Sequence, residues 1–164
     1  MSKHYEIERK FLIKMPSIPL IEQNQQCEKV DIIQTYLKDK SRIRSCKTTD
    51  KTVYIKTIKE KISDLTRIEE ESEITKEQYE ELLFLADIKR QSLNKTRYKY
   101  PYKGKIFEID IFPFWSDRAL LEVELDREDE EFVLPPFIEI IKEVTECREY
   151  RNFALAKTIP KEIF

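Results

Sequence analysis

The sequence predicts a mainly β protein of the α+β kind: an eight-stranded antiparallel barrel, with a charged tunnel inside and a few helices packed outside. Three observations lead there. Alternating, β-branched segments dominate, so strand signals outnumber helix signals. About eight strands follow one another with few helices, and such a meander closes into a barrel or sandwich. Charged residues recur at every second position in nearly every strand, which gathers them on one face.

The first strand covers residues 3–13 and carries Glu6, Glu8 and Lys10. On a helix, at ~100° per residue, these three would spread over roughly 200°. On a strand they point the same way. Residues 14–29, with Pro16 and Pro19, read as a loop or short helical turn. Residues 30–37 are β-branched and read as a strand, followed by strands over 41–46, 52–59 and 67–74. Residues 75–86 give the clearest helix. Thr75 caps its start with Gln78 three residues on, as in a capping box, and Tyr79, Leu82, Leu83 and Ala86 form its apolar stripe. Strands resume over 91–100, 105–112 and 119–126, the first two joined by a hairpin turn at Tyr102-Lys103-Gly104-Lys105. Pro135-Pro136 opens a short helix through Ile141, and residues 149–157 read as a final amphipathic helix.

The chain's 164 residues fit one domain, 1–164. Forty per cent are hydrophobic, enough for a core, and 38% are charged, above the usual quarter or so. Thirty basic residues nearly balance 32 acidic ones, so there is no general footprint for nucleic acid or an anionic membrane. A polyanion would have to meet a sorted, local patch. There is no apolar run long enough for a membrane helix and no apolar signal core at the start, so a cytoplasmic protein is expected. Cys27, Cys46 and Cys147 make neither a disulfide framework nor a zinc site. With one histidine, His4, a histidine-rich metal site or a catalytic triad is excluded. A metal would be held by carboxylates, which points to magnesium, manganese or calcium. With one glycine, Gly104, no glycine-rich phosphate loop exists, so a phosphate would be held by side chains. The sequence is compatible with a homodimer but does not demonstrate one.

The charged windows carry the functional reading. Arg42 alternates with Arg44 around Ile43. Arg67, Glu69, Glu71 and Glu73 share a face, as do Lys95, Arg97 and Lys99. Glu108 pairs with Asp110, and Glu122 with Glu124. A single window of this kind reads as a solvated face. The set reads differently, because solvent faces mix both signs and several windows here hold one sign only. Like charges at i and i+2 lie ~6–7 Å apart, a repulsion on the order of 2 kcal/mol at an effective dielectric near 20. A barrel whose carboxylates hold divalent cations and whose basic groups hold a polyanion puts that repulsion to use. Charged faces then point into a lumen, and apolar faces pack outward against the helices at 75–87 and 135–157. A ligand needing both metal ions and protein cations is a di- or triphosphate.

The same residues resemble the CYTH-domain proteins of the triphosphate tunnel metalloenzyme family, closest to bacterial tripolyphosphatase-type members. The family's Glu-x-Glu-x-Lys is met by Glu6-Ile7-Glu8-Arg9-Lys10, followed by the typical Phe11-Leu12. Arg-x-Arg is Arg42-Ile43-Arg44, Arg-x-Glu-x-Glu is Arg67-Ile68-Glu69-Glu70-Glu71, and Lys-x-Arg is Lys95-Thr96-Arg97. The aromatic-Glu-x-Asp strand is Phe107-Glu108-Ile109-Asp110, and Glu122-Val123-Glu124 follows. The closing motif is Glu143-Val144-Thr145 with Tyr150-Arg151-Asn152. The resemblance covers residues 3–157. Two departures stand out. The family's Thr-x-Lys-Gly becomes Thr57-Ile58-Lys59-Glu60, so either Lys56 or Lys59 faces the tunnel. Residues 113–119 lack the usual glycines.

The resemblance and the side-chain chemistry together assign roles. Glu6, Glu8, Asp110, Glu122 and Glu124 would bind Mg²⁺ or Mn²⁺. Glu69 and Glu71, with Glu73, would hold a second metal, order water or orient the arginines. Lys10, Arg42, Arg44, Lys56 or Lys59, Arg67, Arg97 and Lys99 would grip phosphate oxygens. Lys95 would position or activate the attacking water. The implied activity is metal-dependent hydrolysis of a small triphosphate, inorganic tripolyphosphate first. The alternatives are an adenylate cyclase, a nucleoside or thiamine triphosphatase, or a non-enzymatic polyphosphate-binding module.

Overall fold

The computed structural model describes residues 2–164. Nine strands are found among them: β1 (Ser2–Lys14), β2 (Glu28–Tyr36), β3 (Arg42–Lys47), β4 (Thr52–Lys61), β5 (Thr66–Ile74), β6 (Leu93–Tyr102), β7 (Lys105–Ile111), β8 (Arg118–Glu124) and β9 (Ile140–Glu143). Their order is β5-β4-β3-β2-β6-β7-β8-β1-β9, and a further pairing of β5 with β1 closes the first eight into an antiparallel barrel.

The eight expected strands are all present, and β9 is an addition. Pro135-Pro136 opens a turn rather than a helix, with the Ile138 N–H donating to the Pro135 carbonyl at 3.0 Å. The chain then runs extended, and Ile140–Glu143 pairs with β1 at Phe11–Ile13. The reason lies in β1, which is longer than any single neighbour. One edge pairs with β8 along Glu8–Lys14. The other edge pairs with β5 only along Ser2–Ile7, leaving residues 11–13 for β9. Between β5 and β9, the Glu8 N–H donates to the Leu65 carbonyl at 3.1 Å and the Lys10 N–H to Thr145 Oγ1 at 2.9 Å.

Three helices complete the chain: α1 (Ile18–Glu22), α2 (Lys76–Leu83) and α3 (Asn152–Leu155). Ser17 caps α1. The capping box of α2 is formed: the Gln78 N–H donates to the Thr75 hydroxyl, and the Thr75 N–H donates to the Gln78 side chain. The helix expected over 149–157 is shorter. A 3₁₀ turn, Arg148–Tyr150, ends at an extended Arg151 before α3 begins.

The outward face of the barrel is apolar and covered. Phe11, Ile13, Phe107, Ile109, Leu121 and Val123 pack beneath α1 and residues 132–138. Tyr79 and Leu82 of α2 cover Leu37 and Ile43. The inward face is charged over most of its height and then turns apolar at one end. On the same strand faces, Leu12 follows Lys10, Phe112 follows Asp110, Tyr36 follows Gln34, Leu120 precedes Glu122, and Leu93 precedes Lys95. These five side chains meet Trp115, Val144, Tyr150 and Leu155 in a second core. Of the residues 135–157 expected to pack outside, Phe137 and Ile138 do so, while the segment from Val144 to Ala156 instead plugs one end of the barrel. Tyr150 is fully buried there, and burial of one such side chain stabilises by about 1.5–3 kcal/mol. Among the described residues no helix is long and apolar enough to cross a membrane.

Candidate active site

Above this apolar floor lies a cavity of about 630 Å³, a size suited to one small ligand. Glu6, Glu8 and Lys10 of β1 line it, as do Arg42 and Arg44 of β3, Lys59 of β4, and Arg67, Glu69 and Glu71 of β5. Arg97 and Lys99 of β6 and Glu122 and Glu124 of β8 complete the wall opposite. Register explains the gathering. Glu8 lies beside Glu124 and Lys10 beside Glu122. Glu6 lies beside Arg67, and Lys59 beside Glu69.

Four residues expected in the lumen do not line it: Lys56, Asp110, Lys95 and Glu73. Lys56 is one residue out of phase. It sits beside the outward Ile43, while its neighbours Val53 and Ile55 line the cavity. The pairing of Thr57 with Arg42 fixes this phase, so Lys59 is the lumen lysine of β4. Asp110 lies beneath the wall. Its Oδ1 accepts from Arg97 Nε at 2.7 Å, and its Oδ2 accepts from Arg97 Nη2 and Lys95 Nζ, both at 2.9 Å. Burial works to raise its pKa, but Arg97 and Lys95 outweigh burial and hold it well below the usual carboxylate range. Asp110 is thus a bracket for Arg97, with neither oxygen free for a metal. Lys95, the third, is sealed by this contact, its side chain 1% exposed. Burial is the largest influence on its pKa, assisted by Arg97 and opposed by Asp110, and brings it down to about 8. Glu73 is exposed and stands outside the cavity as well.

Within the lumen some charges are paired and others are not. Lys59 holds Glu6 at 2.7 Å and Glu69 at 3.4 Å. Arg44 holds Glu71 at 3.0 Å, Lys10 holds Glu122 at 3.4 Å, and Arg97 holds Glu108 at 3.0 Å. Arg42 forms no ion pair among the described residues, and its Nε is buried without a hydrogen-bond partner. Arg67 donates only to backbone carbonyls, those of Ser63, Asp64 and Thr66. Burial, then Arg42 and Arg97, press the Arg44 pKa below its ordinary value. The arginines thus feel one another, but not all alike: burial opposes the charge of Arg42, and Tyr36, Glu69 and Glu6 outweigh it and raise the Arg42 pKa.

The acids crowd one another as well. The Glu8 carboxylate forms no hydrogen bond or ion pair among the described residues. Burial, then the Glu122 carboxylate, push its pKa up to about 8, with Glu6 adding to the effect. Glu124, beside it, is raised by burial and then by Glu6 and Glu108. Among the described residues no three acidic, histidine or cysteine side chains converge on one point as they stand. The donor chemistry nevertheless fits a hard divalent cation, because buried carboxylates that repel one another are what such an ion neutralises. The fit rests on Glu8 and Glu124, with Glu6 and Glu122 beside them, which Lys59 and Lys10 also hold. Glu69 and Glu71 serve mainly to hold Lys59 and Arg44.

Sequence reasoning missed Arg151, Asn152 and Lys40, which also line the cavity. Thr145 appeared only as part of the closing motif. The first two were absorbed into a final helix, on which Arg151 reads as one more solvated charge. The signal was the motif itself, Tyr150-Arg151-Asn152, in which a buried aromatic pins the neighbouring cation.

Fold and site together define an antiparallel β-barrel with an ion-lined lumen closed at one end. No protein-family model matches the chain. It is 35% identical, over 94% of its own length and 99% of the relative's, to an inorganic triphosphatase of Nitrosomonas europaea. A crystal structure of an inorganic triphosphatase shares 34% identity and a TM-score of 0.58, covering 94% of this chain and 96% of that one. A candidate adenylate cyclase from Bacillus halodurans, 15% identical with a TM-score of 0.53 over 78% of this chain and 84% of that one, shares the fold. The chain belongs to the inorganic triphosphatase family.

The raised Glu8 has a measurable consequence in chelator. Its folded pKa lies above its unfolded one, so its favourable contribution is complete below the unfolded value near 4.5 and lost as pH rises through about 8. Glu8→Gln removes that dependence. Its melting temperature should exceed the wild type's by several degrees at pH 9 and by little at pH 5. An equal difference at both pH values would contradict the assignment.

Proposed function

We propose that this chain is a CYTH-domain triphosphate tunnel metalloenzyme that hydrolyses inorganic tripolyphosphate to pyrophosphate and phosphate. The observation that carries this reading is the crowding of buried charges of both signs in one small lumen. Among the described residues Arg42 and Arg67 form no ion pair with a carboxylate, and burial with neighbouring carboxylates raises the Glu8 and Glu124 pKa values. A triphosphate entering with a divalent cation meets both sets of side chains. The named activity of the Nitrosomonas relative supports the same substrate.

The roles follow from what each side chain faces. Arg42, Arg44, Arg67 and Arg97 present planar forks to phosphate oxygens, and Lys10 and Lys59 add point charges. Lys99 lines the lumen near Glu108 and extends the positive wall. Glu6, Glu8, Glu122 and Glu124 would hold Mg²⁺ or Mn²⁺. Such an ion offsets the charge of the phosphate oxygens and polarises the bond under attack. Water attacks a terminal phosphorus, the P–O anhydride bond breaks, and pyrophosphate departs with that bond's electrons. Asp110 fixes Arg97 by two hydrogen bonds, so the guanidinium meets substrate already oriented. Lys95 is the base best tuned to take the water's proton, because burial brings it to about 8. Doing so requires it to exchange its Asp110 contact for the water.

The substrate assay tests the whole reading. With Mg²⁺ or Mn²⁺ the protein should release phosphate from tripolyphosphate faster than from ATP or thiamine triphosphate, and chelation should abolish release. Cyclic nucleotide formed from ATP would identify a cyclase. Tight tripolyphosphate binding without turnover of any compound would identify a binding module instead.

The Lys95 role has its own test, a pH–rate profile. The neutral amine is the active form, so kcat should rise as pH passes through about 8. Lys95→Arg should lose that rise and at least about a hundredfold in kcat. Full kcat in Lys95→Arg would reduce Lys95 to a tether for Asp110.

A further inference from the structure

Arg151 stands apart from the phosphate-gripping residues already named. It lines the lumen from the C-terminal segment, not from a barrel strand. Its backbone is pinned on both sides. Tyr150 is fully buried in the apolar floor, and the Arg151 carbonyl accepts from the Ala154 and Leu155 N–H groups, both at 2.9 Å. The guanidinium is therefore held at a fixed height above the floor, in the seam where β5 leaves β1 and before β9 joins it.

Its charge is not met there. Nε and Nη2 are buried and have no hydrogen-bond partner. The nearest acid, Asp64, lies 3.8 Å from Nη2 and is already bound by Lys61 at 2.6 Å. Arg67 approaches the same turn, donating to the Ser63 carbonyl at 2.6 Å and the Asp64 carbonyl at 3.3 Å. Burial, then Arg151, lower the Arg67 pKa, so the two guanidiniums are close enough to repel. Three cations thus converge on a turn whose own carboxylate is Asp64; Glu128 is engaged by the Ser63 and Thr66 hydroxyls, and Glu8 and Glu6 act on Arg67 from β1. Asn152, next in the chain, lines the lumen with a buried Oδ1 that also lacks a partner.

We propose that Arg151 and Arg67 form a seat for one phosphate group of the substrate, beside Glu6 and Glu8 of β1, and that this seat makes binding sensitive to phosphate number. The inference rests on the triphosphatase reading and deepens it. A linear triphosphate long enough to reach both the arginines of β3 and β6 and the seam gains the seat. A pyrophosphate, one phosphate shorter, gains less. Arg151 is then a specificity-determining residue for chain length.

The test compares tripolyphosphate with pyrophosphate on the full-length protein, by KM and kcat for the first and by competitive inhibition for the second. Arg151→Gln should raise the tripolyphosphate KM about tenfold, the worth of one charge-assisted contact. Its kcat should stay within about twofold, and pyrophosphate inhibition should weaken by less than about threefold. Arg151→Lys, which keeps the charge and loses the fork, should fall between wild type and Arg151→Gln. Asp64→Asn separates a seat from a tether. If Arg151 merely ties the C-terminal segment to the β4–β5 turn, Asp64→Asn reproduces the loss. If it binds phosphate, Asp64→Asn leaves the KM unchanged or lower. Equal weakening of both ligands, an unchanged KM in Arg151→Gln and Arg151→Lys, or a loss reproduced by Asp64→Asn would each overturn the seat while leaving the triphosphatase reading intact. A wild type that neither binds nor hydrolyses tripolyphosphate would overturn both.

Discussion

The structure depends on one constraint: a barrel that keeps its apolar faces outside must leave its charged faces inside. Alternation along each strand allows no other sorting, because a side chain faces either the lumen or the outer layer. Once α1, α2 and the chain between β8 and β9 bury the outer layer, the charged positions are confined together. Confinement makes Coulomb interactions stronger than they would be on a wet surface. Ion pairs such as Lys59–Glu6 and Arg44–Glu71 absorb part of the charge. Arg42, Arg67, Glu8 and Glu124 remain outside these ion pairs among the described residues.

The apolar floor gives the lumen its direction. The same strand faces that carry Lys10, Asp110 and Glu122 go on to carry Leu12, Phe112 and Leu120, which the C-terminal segment covers with Tyr150 and Leu155. One end is therefore shut by a hydrophobic core and not by a salt bridge. That core also anchors the only lumen arginine supplied from outside the strands among the described residues, Arg151. Packing energy spent on the floor thus fixes the position of a charge, the same logic by which Asp110 fixes Arg97.

Much of this was legible in the sequence because it depends on period. A repeat of two identified the eight barrel strands, the paired charges on them, and most of the lumen wall. Period alone failed where the chain leaves the regular pattern. Lys56 and Lys59 are three residues apart, and only the register between β3 and β4 decides which turns inward. Asp110 has the right phase but lies too deep, because Lys95 and Arg97 flank it on the neighbouring strand, a relation that no local window contains. β9 was misread because Pro135-Pro136 is a helix-start signal, while its true partner is the free edge of β1, more than a hundred residues earlier. Arg151 was hidden for the same reason: its role comes from the seam between two distant strands.

Arg42 gives the most direct test of the central claim, that lumen cations outside these ion pairs exist to bind substrate. Among the described residues it forms no ion pair, and its Nε has no hydrogen-bond partner. Tripolyphosphate binding to wild type and Arg42→Gln should be compared by calorimetry in chelator, where no turnover interferes. Affinity should fall about tenfold or more, while the free protein stays folded well above the assay temperature; some loss of stability is expected, because burial, which opposes the charge of Arg42, is outweighed by Tyr36, Glu69 and Glu6. Unchanged affinity, or a lost affinity that merely follows unfolding at the assay temperature, would contradict it.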